Sequence, residues 1–102
     1  MNDEIKKIRS VYFIGIGGIG MSALARYFFS RGIKVSGYDK TETALTKELQ
    51  QSGIEVHYKD DVGLIPKEVQ LVVYTPAVPK DHKELVFYQH HGYRVVKRSD
   101  VL

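Results

Sequence analysis

The sequence predicts an α/β domain: a doubly wound five-stranded parallel sheet with helices on both faces and strand order 3-2-1-4-5. Three observations predict it. Short apolar runs alternate with amphipathic stretches along the whole chain, so strands and helices take turns. The first run, Val11 to Ile14, passes directly into the turn Gly15-Ile16-Gly17-Gly18-Ile19-Gly20. The second run, Lys34-Val35-Ser36-Gly37-Tyr38-Asp39, ends on a carboxylate nineteen positions after Gly20.

Val11 to Ile14 is β-favouring and apolar throughout, as a strand buried on both faces must be. Gly15, Gly17 and Gly20 then match G-x-G-x-x-G. In that spacing the glycines permit a tight turn, close approach of a pyrophosphate to bare backbone, and tight packing of the next helix on the sheet. With most Cβ atoms absent, consecutive N–H groups point at phosphate oxygens, and the positive end of the helix dipole adds to the attraction. Glycine turns also join strands to helices with no ligand, but here strand and helix stand on the correct sides. Met21, Leu24, Ala25 and Phe28 recur at helical spacing and give one apolar stripe, and Gly32 follows as the expected end. The fold is therefore Rossmann-like in its first half.

In a βαβ unit of this kind the acid at Asp39 accepts hydrogen bonds from a ribose. A turn or helix-cap role is the competing reading, and the glycine loop favours the ligand. Thr43 to Ser52 carries Leu45 and Leu49 one turn apart and stops at Gly53, which predicts a second helix. Ile54 to Tyr58 follows as a third strand, and Lys59 to Pro66 as a loop with one helical turn. Val69 to Tyr74 is a fourth strand that delivers Thr75-Pro76-Ala77-Val78-Pro79 at its C-terminal end. Asp81-His82-Lys83-Glu84 reads as a capping box, Asp81 accepting from the first turn and Glu84 reaching back, and opens a helix through His91 that Gly92 closes. Arg94 to Lys97 is the fifth strand. Ser99-Asp100-Val101-Leu102 reads as a capped helix start, so more protein is expected to follow. With right-handed crossovers the strand order reverses between strands one and four, and a crevice opens there between the glycine loop and Thr75 to Pro79, with Asp39 on its flank.

Residues 1–102 are expected to form one domain, large enough to bury roughly two-thirds of its extended surface. Fifteen basic and twelve acidic side chains leave a net charge of +3. They are scattered, with no basic arm, which argues against nucleic-acid binding. Cysteine is absent, excluding disulfides and thiolate metal sites. Met1 to Ser10 is polar and charged, so neither a signal peptide nor a membrane span is expected there, and the default location is the cytoplasm. Of the four histidines, His90 and His91 are adjacent and His57 and His82 sit in different elements, so no spacing matches a metal-ligand set. Tyr27, Phe28 and Phe29 are assigned to core packing. Ser22, in the first helical turn, reaches either a phosphate or a free backbone N–H, and Thr75 is a turn residue or a crevice contact. No Ser-His-Asp or Cys-His arrangement and no G-x-x-x-x-G-K-[ST] loop for ATP is present, so no bond-making chemistry is expected of this chain alone.

Gly15-Ile16-Gly17-Gly18-Ile19-Gly20-Met21-Ser22-Ala23-Leu24-Ala25, followed by Val35-Ser36-Gly37-Tyr38-Asp39, closely resembles the opening of the Mur ligases. Val72 to Val78 resembles that family's strand-four segment, and Val95 to Leu102 the segment just before its ATP-binding domain. The resemblance runs from Ser10 onward, and the Met-Ser extension makes the glycine motif far more specific. It implies the N-terminal domain of a three-domain, ATP- and magnesium-dependent cytoplasmic ligase of peptidoglycan synthesis, from the branch that adds L-alanine to UDP-N-acetylmuramate. The muropeptide-recycling branch has a similar architecture, but Gly15 to Ser22 fits the alanine-adding branch better. Carried over by position, the resemblance assigns the substrate diphosphate to Gly17, Gly18, Ile19, Gly20, Met21 and Ser22, and the uridine side to Asp39 and Lys40, with Thr75 and Arg98 as further contacts. It implies no cofactor in this domain, ATP and magnesium elsewhere in the full-length enzyme, and partners limited to the UDP-sugar and the ATP-binding and C-terminal domains. Lys59-Asp60 stands where many relatives have Gly-His, and Pro76 replaces a common serine, so contacts made there are not carried over. The bare glycine spacing with Asp39 equally permits a nicotinamide-dinucleotide domain of a dehydrogenase or a nucleotide sensor.

Overall fold

A computed structural model describes residues 7–101; the expectations for Met1 to Lys6 and for Leu102 lie outside the described residues. Five strands, β1 (Ser10–Ile14), β2 (Lys34–Tyr38), β3 (Glu55–His57), β4 (Leu71–Tyr74) and β5 (Val95–Lys97), form one sheet in the order β3-β2-β1-β4-β5. All four pairings are parallel, with Ile14 opposite both Tyr38 and Tyr74. This is the expected topology, and it sets the C-terminal ends of β1, β2 and β4 side by side.

The period of two along β1 divides the core. Val11 and Phe13 face one layer with Val35 and Val73, where α1 (Ile19–Ser30) and α2 (Ala44–Ser52) bury Met21, Ala25, Phe28 and Leu49. Tyr12 and Ile14 face the other layer, with Tyr38 and Val72, under Leu85 and Tyr88 of α3 (Lys83–His90). Only Phe28 of the aromatic trio belongs to the core. Tyr27 is 42% and Phe29 36% exposed, because a three-residue run spans nearly a full helical turn and one stripe cannot bury all of it.

Two helix starts differ from expectation. The capping box lies at α2, where the Thr43 and Thr46 side chains each accept the other's backbone N–H. At α3, Asp81 is exposed and His82 is the N-cap, its Nδ1 accepting from Leu85 N–H at 3.4 Å. The first-turn N–H groups of Lys83 and Glu84 donate to the Asp60 carboxylate at 2.8 and 3.0 Å. A residue from another loop thus does what the local motif proposed for Asp81. Ser99 falls within a 3₁₀ turn, Arg98–Asp100, that turns Val101 into the core.

Gly37 in β2 is required by close approach. A Cβ there would lie 2.8 Å from the Phe13 carbonyl oxygen and 2.9 Å from Ile16 Cβ, neither of which can yield without moving β1 or its loop. Gly37→Ala is expected to cost about 1–3 kcal/mol through overpacking. An unchanged denaturant midpoint would refute this.

Candidate functional site

The site begins with β1, which drops its chain at Gly15 into the positive-φ region, φ 93°, where a side chain would be strained and would also strike Thr75 Cγ2. The N–H groups of Gly15 and Ile16 both donate to the Tyr38 carbonyl, at 2.8 and 2.9 Å, and so pin the loop to β2. Gly17 N–H donates to Asp39 Oδ2 at 2.7 Å. Asp39 Oδ1 accepts from Thr41 N–H at 3.2 Å. Gly18 is the N-cap of α1 and supplies no side-chain cap. Ser22 N–H makes the first helical bond, to Gly18 O, and its hydroxyl donates to Ile19 O, so the local reading, in which the hydroxyl satisfies a free backbone N–H, is not what is found. Helix geometry then leaves the N–H groups of Ile19, Gly20 and Met21 without an intrahelical acceptor at the positive end of a twelve-residue helix.

The sequence-assigned residues divide, because Gly17, Ile19, Gly20, Ser22 and Arg98 are not among the residues that line the crevice. Gly18, Met21, Asp39, Lys40 and Thr75 line one crevice of about 620 Å³, a volume suited to a ligand. Arg98 comes from the far end of the chain to the start of α1: a Cβ on Gly20 would lie 2.6 Å from its Nε. Its exposed guanidinium stands beside a helix start that already carries positive potential, an arrangement that favours an anion between them. Ile19 is 87% exposed. Gly17 differs from its assignment in one respect, since its N–H is held by Asp39. The Thr75 hydroxyl accepts from Ala77 N–H at 3.4 Å, as a turn threonine does, while the residue still lines the crevice.

Asp39 is consequently a loop anchor as well as a crevice wall. Asp39→Ala is expected to lower the melting temperature, because about 1.5–3 kcal/mol attends loss of hydrogen bonds to a carboxylate, and to weaken nucleotide binding as the loop loosens. Calorimetry and thermal unfolding of one sample test both; an unchanged melting temperature would remove the anchoring role.

Sequence reasoning missed the far wall. His82, Asp60 and Lys83 line the crevice, with Tyr38 beneath them. Behind this wall Glu84, fully buried, accepts from the Tyr12 hydroxyl at 2.5 Å and Asp61 N–H at 3.1 Å, and lies 2.7 Å from His57 Nε2. Burial, followed by the Glu84 charge, pushes the Tyr12 hydroxyl well above the ordinary tyrosine range, so it remains a proton donor. Asp60, His82 and Glu84 bring potential ligand atoms within 4.8 Å of one another. Each carboxylate oxygen among them, however, already accepts a hydrogen bond or pairs with His57, so the cluster serves as a clamp on α3. No local pattern announces it, since its partners come from four separate elements.

Among the described residues no helix is long and apolar enough to cross a membrane. Residues 10–102 match the family model described as Mur ligase family, catalytic domain. The UDP-N-acetylmuramate–L-alanine ligase of Porphyromonas gingivalis (strain ATCC 33277) is 56% identical over 100 residues, covering 93% of this chain and 22% of that protein. The enzyme of the same name from Parabacteroides distasonis is 52% identical over 104 residues, covering 97% of this chain and 22% of that protein. A crystal structure of UDP-N-acetylmuramate–alanine ligase from Thermotoga maritima superposes with a TM-score of 0.83 at 36% identity, over 88% of this chain and 21% of that one. The chain thus spans about a fifth of the length of the relatives it matches. The match over residues 10–102 establishes that the chain belongs to the Mur ligase family.

Proposed function

We propose that this chain is the UDP-sugar-binding domain of an ATP-dependent ligase that joins L-alanine to UDP-N-acetylmuramate in bacterial cell-wall synthesis, working in the cytoplasm. The observation that carries the reading is the uncapped start of α1 opening beside Arg98: three adjacent N–H groups, a helix dipole and a guanidinium converge where a diphosphate fits. Ile19, Gly20 and Met21 donate to the diphosphate oxygens, Gly18 leaves room for them, and Arg98 pairs with their charge. Asp39 holds the loop in the receptive shape, and Lys40 and Thr75 border the nucleoside end. The relatives' names supply the sugar and the amino acid.

In this reading the chain binds and orients. Its sequence has no phosphate loop for ATP, so ATP and magnesium are assigned to other domains of a longer protein, and no step is drawn through them here. The competing nicotinamide reading would use the same glycine loop and Asp39, whose oxygens accept the Gly17 and Thr41 N–H groups and keep further lone pairs for a ribose. Calorimetric titration with UDP-N-acetylmuramate and with NADH separates the two. Binding of the UDP-sugar alone is the expected result; saturable NADH binding without it would overturn the proposal, and ATP-dependent alanine ligation by the chain alone would overturn its purely binding role.

A further inference from the structure

Helix α1 is apolar on more sides than the described residues cover. Its one charged side chain, Arg26, pairs with Glu48 of α2 at 3.1 Å, and Phe29 on the same flank lies over Gly53 at the end of α2. Helix geometry gathers Gly20, Ala23, Leu24 and Tyr27, at i, i+3, i+4 and i+7, on the opposite flank, with no charge among them. Leu24 there is half-buried and Ala23 and Tyr27 are exposed. Of the four large apolar side chains exposed among the described residues, Ile19, Tyr27 and Phe29 belong to this one helix, and Leu64 is the fourth. A helix apolar nearly all round is one that is buried on its flanks as well as underneath.

The sheet beside that flank is open in the same way. On this face α1 packs on β1 and β2 and α2 on β3, while α3 takes the other face. Over β5 the face presents Val96, which is only half-buried, although a parallel sheet is normally covered on both sides. Two observations indicate what comes here. Arg98, from the turn after β5, lies against Gly20 at the head of the flank. Val101 then enters the apolar cluster on which Leu24 and Val96 pack, 5% exposed, with φ −75° and ψ −31° in the α-helical region. The relatives are far longer than this chain, which spans about a fifth of their length. We propose that the Ala23–Tyr27 flank of α1 is a docking surface for the remainder of the longer protein, which lays the apolar side of a helix along it from Val101 onward. A second copy of the chain would have to displace the segment that Val101 leads in. The inference is independent of what the glycine loop binds.

The chain has no cysteine, so a single introduced thiol reports a single place. Ala23→Cys, Tyr27→Cys and, as a control on the exposed side of α2, Lys47→Cys are treated with a maleimide in this chain and in the full-length protein that contains it. Mass spectrometry reads the labelling at each position. Passing from the chain to the longer protein, labelling at positions 23 and 27 should slow at least about tenfold, and at position 47 change by less than about twofold. Hydrogen exchange of the unsubstituted proteins is the second measurement, needed in case a cysteine disturbs the fold. The amides in the last two turns of α1 should exchange at least about tenfold more slowly in the longer protein. Labelling and exchange at equal rates in the two proteins, or slowing at all three positions alike, overturns the docking surface. Concentration-dependent protection of positions 23 and 27 in the chain alone, with a dimer seen by sedimentation, gives the flank to a second copy and overturns it as well.

Discussion

Glu84→Ala is expected to remove about 3–5 kcal/mol of stability, the cost of leaving several buried donors without their acceptor. For a domain whose total is about 5–15 kcal/mol this is a large fraction, and the melting temperature should fall by at least about 12 °C. The magnitude follows from what is stranded. The Tyr12 hydroxyl and Asp61 N–H lose their acceptor, and His57 loses the carboxylate 2.7 Å away, all beneath a residue that is fully buried. Tyr12 is on the central strand, His57 ends β3, Asp61 lies in the loop beyond it, and Glu84 is in α3. One side chain therefore ties the central strand and the β3 edge to the helix that walls the crevice. Glu84→Gln keeps the shape and one acceptor oxygen and should lose less. Thermal unfolding followed by circular dichroism decides; a drop of only a few degrees for Glu84→Ala would mean that water replaces the carboxylate.

Gly18→Val is expected to weaken binding of the UDP-sugar more than about a hundredfold, close to 3 kcal/mol, with little change in melting temperature. The structure separates these two effects. Gly18 has φ −67° and ψ 153°, a conformation that valine favours, and a Cβ there meets nothing closer than 3.8 Å. The fold therefore has no need of glycine at this position, and the space its missing side chain leaves is available to a ligand. A valine would project its methyl groups over the N–H groups of the first turn and exclude phosphate oxygens. At Gly17 the same substitution would instead collide with Asp39 Oδ2, at 2.6 Å, and confound folding with binding. Calorimetry on Gly18→Val, with unfolding as the control, makes the comparison; parental affinity in a normally folded variant would reduce the loop to a structural turn.

Strand order, the glycine turn and the crevice between Gly15–Gly20 and Thr75–Pro79 were legible in the sequence because their signals are local. A fully apolar run identifies a buried strand, helical spacing identifies the stripe of α1, and the absence of Cβ atoms identifies a turn open to phosphate. The gathering of Gly18, Met21, Asp39, Lys40 and Thr75 at one crevice follows from topology alone, since parallel strands with right-handed crossovers must end on the same side. Partner choice was not legible. Asp81 and Glu84 have the right spacing for a capping box, yet α3 is capped by Asp60 and Glu84 turns inward to Tyr12, 72 positions earlier in the chain. The Tyr38–His82 contact, the placing of Arg98 over Gly20 and the use of Asp39 as an anchor for Gly17 are of the same kind. A side chain's local spacing states which hydrogen bonds it is able to make; which of them it makes depends on the competing donors that the rest of the chain brings within about 3 Å, and in a buried site that competition is settled only when the fold has closed.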